Sequence, residues 1–238
     1  MTYYTTPRTQ RPAHSAGFQP RFNAPHQLGL VHAVPADLIG IIGFADQAQA
    51  VLPLVEVIAP LALSAPAHLK AGGVTNLTAS LRLAKMWLTG LDRHILRKVV
   101  IIGDGEPNEE VGGLIPLISQ MRDNYISIDT IYCGSEGGQG QQTLANISTA
   151  TVGGKANTAS SVEALKDLVS RGATRLHKRQ AATVILVDCS SSMNEAMPGG
   201  TTRIAAAIAA CQAVVLIKRV AFGQVQGTQT SRAWEGAV

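Results

Sequence analysis

The chain has 238 residues, of which 46% are hydrophobic and 15% charged; this composition supplies a large apolar core and excludes a globally disordered protein. The formal net charge is +4, and seven of the 20 basic residues lie in two short stretches, three in 1–30 and four in 171–179. Because this excess is local and only 4% of residues are aromatic, the sequence lacks the basic, base-stacking surface of a nucleic-acid-binding protein.

The two ends of the chain differ in composition from its middle. Residues 1–30 are rich in Pro, Thr, Gln and Arg without hydrophobic periodicity, so we predict an arm lacking regular structure there and a second weak tail at 220–238. The first residues lack the apolar core of a secretory signal. The longest nearly apolar stretch, 204–217, is shorter than the ~20 residues of a membrane span. We therefore expect a cytoplasmic protein that does not cross a membrane.

Between these ends, apolar runs alternate with segments of helical periodicity. The runs at 37–44 and 47–55 are separated by a two-residue turn and predict an antiparallel strand pair. A weak helix broken by Pro60 and Pro66 follows. The remaining predicted elements are helix 75–91, strand 97–105, helix 111–124, strand 125–134, helix 142–154, strand 155–159, helix 161–178, strand 181–188 and helix 201–219.

This alternation predicts an α/β fold. Most of the strands are apolar throughout, which is typical of a parallel sheet covered on both faces. We expect a Rossmann-like, doubly wound, mainly parallel six-stranded sheet with one antiparallel edge strand. In such folds, ligands bind in the loops at the carboxyl ends of the strands.

Three polar loops occupy positions of that kind. Asp-Cys-Ser-Ser-Ser-Met (188–193) follows an apolar strand, Gly-Gly-Val-Thr-Asn (72–76) precedes a helix, and Gly-Asp-Gly-Glu (103–106) follows another apolar strand. Their carboxylates and hydroxyls are hard oxygen ligands, which suit Mg²⁺ or Mn²⁺ better than zinc. The candidate metal ligands are Asp188, Ser190, Ser192, Thr75 and Asp104.

The same residues also have purely structural interpretations. Asp188 and its serines would serve as a helix N-cap, Thr75 would cap the helix that follows it, and Asp104 would form a turn before Gly105. The nearby Glu106, Glu109 and Glu110 are interpreted as a solvated acidic rim.

The three loops resemble the metal-ion-dependent adhesion site of von Willebrand factor type A (VWA) domains. DCSSSM matches the D-x-S-x-S signature of that family, GGVTNL its threonine loop and IIGDGEPN its aspartate loop, and the resemblance covers roughly residues 31–219. It implies that the hydroxyls of Ser190, Ser192 and Thr75 bind the metal and that Asp188 and Asp104 act directly or through water. A sixth coordination position would stay open for an acidic group of a protein partner. Gly103 departs from the family, which often has Thr or Ser there.

The order of the elements also departs from the family. VWA domains begin with the D-x-S-x-S strand and its helix, whereas here this unit (183–219) follows the segment 31–177 through a linker at 178–182. We interpret the chain as a circularly permuted VWA domain. This predicts strand 183–188 in the centre of the sheet, between 38–44 and 97–102, with the strand near 48–54 at an antiparallel edge. Closure within one chain is the expectation, and exchange of the segment between chains is the alternative.

The functional prediction is a metal-dependent protein-binding module that is not an enzyme. A Mg²⁺-dependent hydrolase or phosphatase is a weaker alternative, because the sequence places no general base beside Ser190. A structural subunit that self-associates through its tails or by segment exchange is a second alternative, in which the metal is incidental.

Overall fold

The three-dimensional structure is a computed structural model that describes residues 36–105, 111–134, 137–173 and 179–235. The predicted arm at 1–30 lies outside the described residues, as do Glu106, Glu109 and Glu110 of the predicted acidic rim.

Within the described residues, six strands form one sheet. They are β1 (Leu38–Phe44), β2 (Ala48–Glu56), β3 (Leu96–Gly103), β4 (Ile126–Tyr132), β5 (Ala156–Thr158) and β6 (Ala181–Asp188). Their spatial order is β2-β1-β6-β3-β4-β5. Among the strand pairs of this sheet in the described part of the chain, β1–β2 is antiparallel and the other four are parallel. The predicted mainly parallel sheet with one antiparallel edge strand is therefore confirmed.

The last strand in the sequence lies in the middle of the sheet. β6 pairs with β1 from Leu38↔Ala182 to Phe44↔Asp188, and with β3 from Leu96↔Ala181 to Ile102↔Val187. The predicted neighbours of strand 183–188 are thus confirmed. Since all three strands are parallel, their carboxyl ends meet at one edge, and the loops after them share that edge.

Six α-helices in the described ranges cover the two faces of the sheet. They are α1 (Leu61–Ser64), α2 (Leu77–Thr89), α3 (Leu114–Asp123), α4 (Gln139–Thr149), α5 (Val162–Ala173) and α6 (Arg203–Glu235). The helices fall into two groups, each packed in its own buried apolar cluster. One cluster contains residues of α1, α5 and α6, and the other contains residues of α2, α3 and α4. The prediction that helices cover both faces of the sheet is confirmed.

β6 shows why its sequence is apolar throughout. Ile185 and Val187 belong to one cluster, whereas Val184 and Leu186 belong to the other, and all four are fully buried. Successive side chains of a strand point to opposite faces, so a strand between two helical layers needs apolar residues at every position.

Helix α6 is longer than predicted. The sequence predicts that it ends at 219, but it continues to Glu235 and spans 33 residues, so the predicted end of this helix is wrong. Residues 220–235 contain two glycines but no proline. Each glycine costs a helix only about 1 kcal/mol relative to alanine, which weakens a helix without stopping it.

Part of α6 also has the composition of a membrane span. Among the described residues, Arg203–Gly223 is the one helical segment long and apolar enough to cross a membrane by length and composition alone, a property shared by core helices. Its fully buried residues pack in the same cluster as Ile185 and Val187; they are Ala206, Ala207, Ala210, Cys211, Val214 and Val215. This is the packing of a core helix.

An ion pair joins three elements at the amino end of the central strands. Nζ of Lys218 on α6 lies 2.7 Å from Oδ2 of Asp37, just before β1, and both side chains are almost completely buried. Oδ1 of Asp37 accepts a hydrogen bond of 3.0 Å from the backbone N–H of Ala181, where β6 begins. The start of β6 is therefore fixed at the edge opposite the polar loops.

Candidate metal centre

Backbone hydrogen bonds hold two of the three polar loops together at the carboxyl edge of the sheet. The N–H of Cys189 donates to the carbonyl of Phe44 at 2.7 Å, which continues the β1–β6 pairing. Beyond it, the N–H of Gly72 donates to the carbonyl of Cys189 at 2.6 Å, and the N–H of Ser191 donates to that of Gly73 at 3.0 Å. The serine loop and the threonine loop therefore form one wall.

Asp188 is the most deeply buried carboxylate of this wall, with 1% of its surface exposed. Its Oδ1 accepts a hydrogen bond of 2.8 Å from the N–H of Ser190, whereas its Oδ2 has no hydrogen-bond partner among the described residues. The hydroxyls of Ser190 and Ser192 lie 3.0 Å apart. Three of the five predicted ligands thus lie in one tight turn, and one carboxylate oxygen of Asp188 has no hydrogen-bond partner there.

Asp104 follows the neighbouring strand β3 and is also buried. Its Oδ1 lacks a hydrogen-bond partner within the described part of the chain, and its Oδ2 lies 3.5 Å from Nη1 of Arg203. The carboxylate is close enough to Asp188 for its charge to contribute to the raised pKa of that residue. The structure therefore brings the two predicted acidic ligands into one electrostatic environment.

Gly103 is required by a close approach of two strands. A Cβ atom at this position would lie 2.8 Å from Cβ of Asp188, closer than Cβ atoms approach in proteins, and 3.0 Å from Oδ2 of the same residue. In the sequence, Gly103 stands where the resembled family often has a Thr or Ser hydroxyl. In the structure, its absent side chain is what lets the end of β3 approach Asp188.

Thr75 is buried, with 5% of its surface exposed, and it directly precedes the residue that caps α2. That residue is Asn76, whose Oδ1 accepts a hydrogen bond of 3.0 Å from the N–H of Ala79. The structural interpretation of Thr75 as the N-cap is therefore wrong. Asp46, in the turn between β1 and β2, orients this loop by accepting a hydrogen bond of 2.8 Å from the N–H of Val74, a role that no motif in the sequence indicates.

The capping interpretation also fails for Asp188 and its serines. The α-helix that follows them begins only at Arg203, and the hydroxyl of Thr202 accepts a hydrogen bond from the N–H of Ala205 there. Ser190 precedes a short 3₁₀ turn, and its side chain makes no capping hydrogen bond. The polar side chains after β6 are thus not explained by the needs of a helix.

Burial dominates the electrostatics of the site. It raises the pKa of Asp188 from its ordinary value of 3.8 to about 7, and the charge of Asp104 raises it further. Hydrogen bonds from Ser190 and the charge of Arg203 act in the opposite direction. A buried carboxylate that is this poorly compensated favours any cation that can reach it.

The donor set consists of oxygen atoms alone. Within the described ranges, no group of three or more His, Cys, Asp and Glu residues could hold a metal ion. A site at this edge would therefore rely on two carboxylates and on hydroxyls, a set that fits Mg²⁺ or Mn²⁺ and not zinc. The two buried carboxylate oxygens without partners are the positions that such an ion would satisfy.

Arg203 is the charged residue that sequence reasoning missed. It is the first residue of α6, with 7% of its surface exposed, and its guanidinium contacts Asp104 and the carbonyl of Ser192. The only signal in the sequence is its place directly before the nearly apolar stretch 204–217, 11 residues after Ser192.

Comparisons with known proteins give similarities to solved structures only. No protein-family model matches the chain, and no curated protein matches it. The chain is similar to the SpRpn10 VWA domain, with 21% identity and a TM-score of 0.45 over 56% of this chain and 71% of that one. It is similar to the conserved hypothetical protein BatB from Bacteroides thetaiotaomicron, with 18% identity and a TM-score of 0.44 over 57% and 78% of the two chains. It is also similar to an uncharacterized membrane spanning protein from Vibrio fischeri, with 20% identity and a TM-score of 0.28 over 57% and 74%.

Proposed function

We propose that this chain is a VWA-type protein-binding module that holds one Mg²⁺ or Mn²⁺ ion at the carboxyl edge of its sheet. The observation that supports this most directly is the pair of buried carboxylate oxygens without partners, Oδ2 of Asp188 and Oδ1 of Asp104. The serine hydroxyls of the same turn and Thr75 complete the ligand set. Leaving two such oxygens buried and unsatisfied would be costly in a protein without a bound cation.

The proposed partner is a protein that presents an Asp or Glu carboxylate. Two ligand carboxylates only neutralise a divalent ion, and hydroxyl ligands add no charge, so the ion still attracts an anion to its open coordination position. This chain would supply the metal and the partner would supply the acidic group. The module would bind without catalysing a reaction, and we propose that it does so in the cytoplasm.

The circular permutation remains part of the proposal. The sheet has its sixth strand in sequence at its centre, and the polar loop after that strand contacts the loop before α2. Arg203, at the start of α6, contacts Asp104 in the loop after β3. The start of β6 is held at the opposite edge, by Asp37. A join between the last helix and the first strand of the family's order would therefore leave the metal edge unchanged.

Calorimetric titration with Mg²⁺ tests the metal site. We expect one ion per chain for the natural sequence and no binding for Asp188→Ala. The matched control is Asp129→Asn, because Asp129 is also a buried acid of the sheet but both of its oxygens have partners, Nζ of Lys98 at 2.8 Å and the N–H of Lys155 at 3.0 Å. Equal Mg²⁺ binding by the natural chain and Asp188→Ala would refute the site.

The partner prediction needs a separate experiment. A protein captured by the immobilised chain in Mg²⁺ should be released by EDTA. Replacing its contacting Asp or Glu with the amide should also release it, because the open coordination position then loses a charged ligand. Binding that is insensitive to both changes would place the interaction on another surface and favour the self-associating structural subunit.

A further inference from the structure

Arg203 brings a positive charge into the wall of the proposed metal centre. Its Nη1 lies 3.1 Å from the carbonyl oxygen of Ser192 and 3.5 Å from Oδ2 of Asp104, and its Nη2 lies 2.8 Å from Oε2 of Glu195. The guanidinium therefore bridges the serine loop and the aspartate loop, two of the three loops that form the site.

The backbone around Arg203 fixes this position. The N–H of Arg203 donates to the carbonyl of Glu195 at 3.0 Å, and the N–H of Met197 donates to that of Thr201 at 2.8 Å. The segment from Glu195 to Arg203 is thus a closed loop whose last residue begins α6. Because both ends of the loop are hydrogen-bonded, the backbone of Arg203 is fixed beside the site, and its side chain is buried there.

The hydrogen-bonding groups of the guanidinium are only partly paired. Nε of Arg203 is buried without a hydrogen-bond partner in the part of the chain that the structure describes. Its two acidic neighbours differ in burial, since the side chain of Asp104 is 12% exposed and that of Glu195 is 64% exposed. Water screens the Glu195 interaction in part, so the charge of Arg203 acts more strongly on the buried carboxylates than on Glu195.

We propose that Arg203 is an internal counter-cation of this centre, which stabilises the metal-free site and opposes the binding of a divalent ion by compensating Asp104. This inference rests on the proposed metal-binding function. Two buried carboxylates repel each other when no cation is present, and a fixed guanidinium offsets that repulsion. When a divalent ion enters, the same guanidinium repels it.

A second consequence concerns the ligand that the loaded site selects. Two carboxylates, one guanidinium and one divalent ion leave a net charge of +1, whereas the site would be neutral without the guanidinium. Arg203 therefore favours an anionic group over a neutral oxygen donor at the open position. The site is accordingly selective for an acidic side chain over an amide or a hydroxyl.

Calorimetric titration of Arg203→Gln with Mg²⁺ tests the proposal. We expect the variant to bind Mg²⁺ about tenfold more tightly than the natural chain, since a repulsive charge beside the ion is removed. Arg203→Lys keeps the charge and should stay close to the natural affinity. The matched control is Arg97→Gln, because Arg97 also has a buried, unpartnered Nε but lies at the other end of β3. Equal or weaker Mg²⁺ binding by folded Arg203→Gln would overturn the proposal.

A metal-free measurement separates this proposal from the proposed function. In EDTA, Arg203→Gln should lower the free energy of unfolding, and the loss should shrink when Asp104→Asn is also present. Additive losses in this double-mutant cycle would overturn the counter-cation role whether or not the chain binds Mg²⁺. Absence of Mg²⁺ binding by the natural chain would instead refute the proposed metal site.

A third variant keeps the test decisive if Arg203→Gln does not fold. Glu195→Gln changes an exposed residue and frees the guanidinium from Glu195, so its charge acts more strongly on Asp104. Mg²⁺ binding should then weaken by about threefold, as expected for the loss of one partly screened charge. Unchanged affinity would overturn the proposal.

Discussion

Replacing Asp188 by asparagine should stabilise the chain in the absence of metal. The amide has the same shape, and its oxygen can keep accepting the hydrogen bond from the N–H of Ser190. The amide nitrogen would take the place of the oxygen that has no partner. The neutral side chain would also no longer repel the charge of Asp104, which contributes to the raised pKa of Asp188. The substitution therefore removes a buried charge without creating a cavity.

The size of the effect follows from the pKa of Asp188, which burial raises from 3.8 to about 7. A raised pKa means that the folded state holds the proton more tightly than the unfolded state, so stability falls as the pH rises from about 4 to 7. Three pKa units correspond to about 4 kcal/mol at pH 8, and this loss is absent in Asp188→Asn. For a folded region of this size, that corresponds to a rise in Tm of roughly 8–16 °C.

Thermal unfolding in EDTA at pH 4 and pH 8 measures this difference. The two chains should unfold at similar temperatures at pH 4, and Asp188→Asn should be the more stable at pH 8. Saturating Mg²⁺ should reduce or reverse the difference in unfolding temperature between the two chains, because only the natural chain gains stability from binding. Asp129→Asn is the control and should be destabilised at both pH values, since its oxygens are already paired. A destabilised Asp188→Asn at pH 8 in EDTA would refute the reasoning.

Three further predictions concern the same edge of the sheet. Because Mg²⁺ must displace the proton of Asp188, its apparent affinity should be about tenfold weaker at pH 6 than at pH 8 in calorimetric titrations, and a flat profile would contradict the raised pKa. Gly103→Ala should cost about 1–3 kcal/mol of stability in denaturant unfolding and weaken Mg²⁺ binding, because the new methyl group meets Asp188. Gly72→Ala is its control, since a Cβ there has open space, and equal effects of the two substitutions would argue against the steric explanation. Mixing Asp188→Ala chains with Asp104→Ala chains should restore no Mg²⁺ binding if each chain closes on itself, whereas recovered binding would show that the segment 183–219 is exchanged between chains.

The sheet could be predicted from sequence because its strands are unambiguous. β6 and the second half of β3 are short, apolar runs that end in polar turns, and an apolar strand with no alternation indicates burial on both faces. The position of Asp188 and Asp104 after these strands then follows from the geometry of a parallel sheet. Only the chain order had to be interpreted, through the resemblance to VWA domains.

Other features depend on contacts that no local pattern encodes. The steric need for Gly103 arises from the approach of β3 to Asp188, which lies 85 positions further along the chain. The role of Arg203 depends on how the loop from Glu195 folds back on Ser192. The length of α6 could not be predicted because glycines and polar residues weaken a helix without setting its end.

The central claim is that the three polar loops form one divalent metal site. Its most direct test is a crystal structure of the chain grown in Mn²⁺, with the anomalous scattering of manganese used to locate the ion. The account predicts one strong anomalous peak within coordination distance of the side-chain oxygens of Ser190 and Ser192 and next to Asp188, Thr75 and Asp104. The absence of a peak there, or a peak at other residues only, would contradict it.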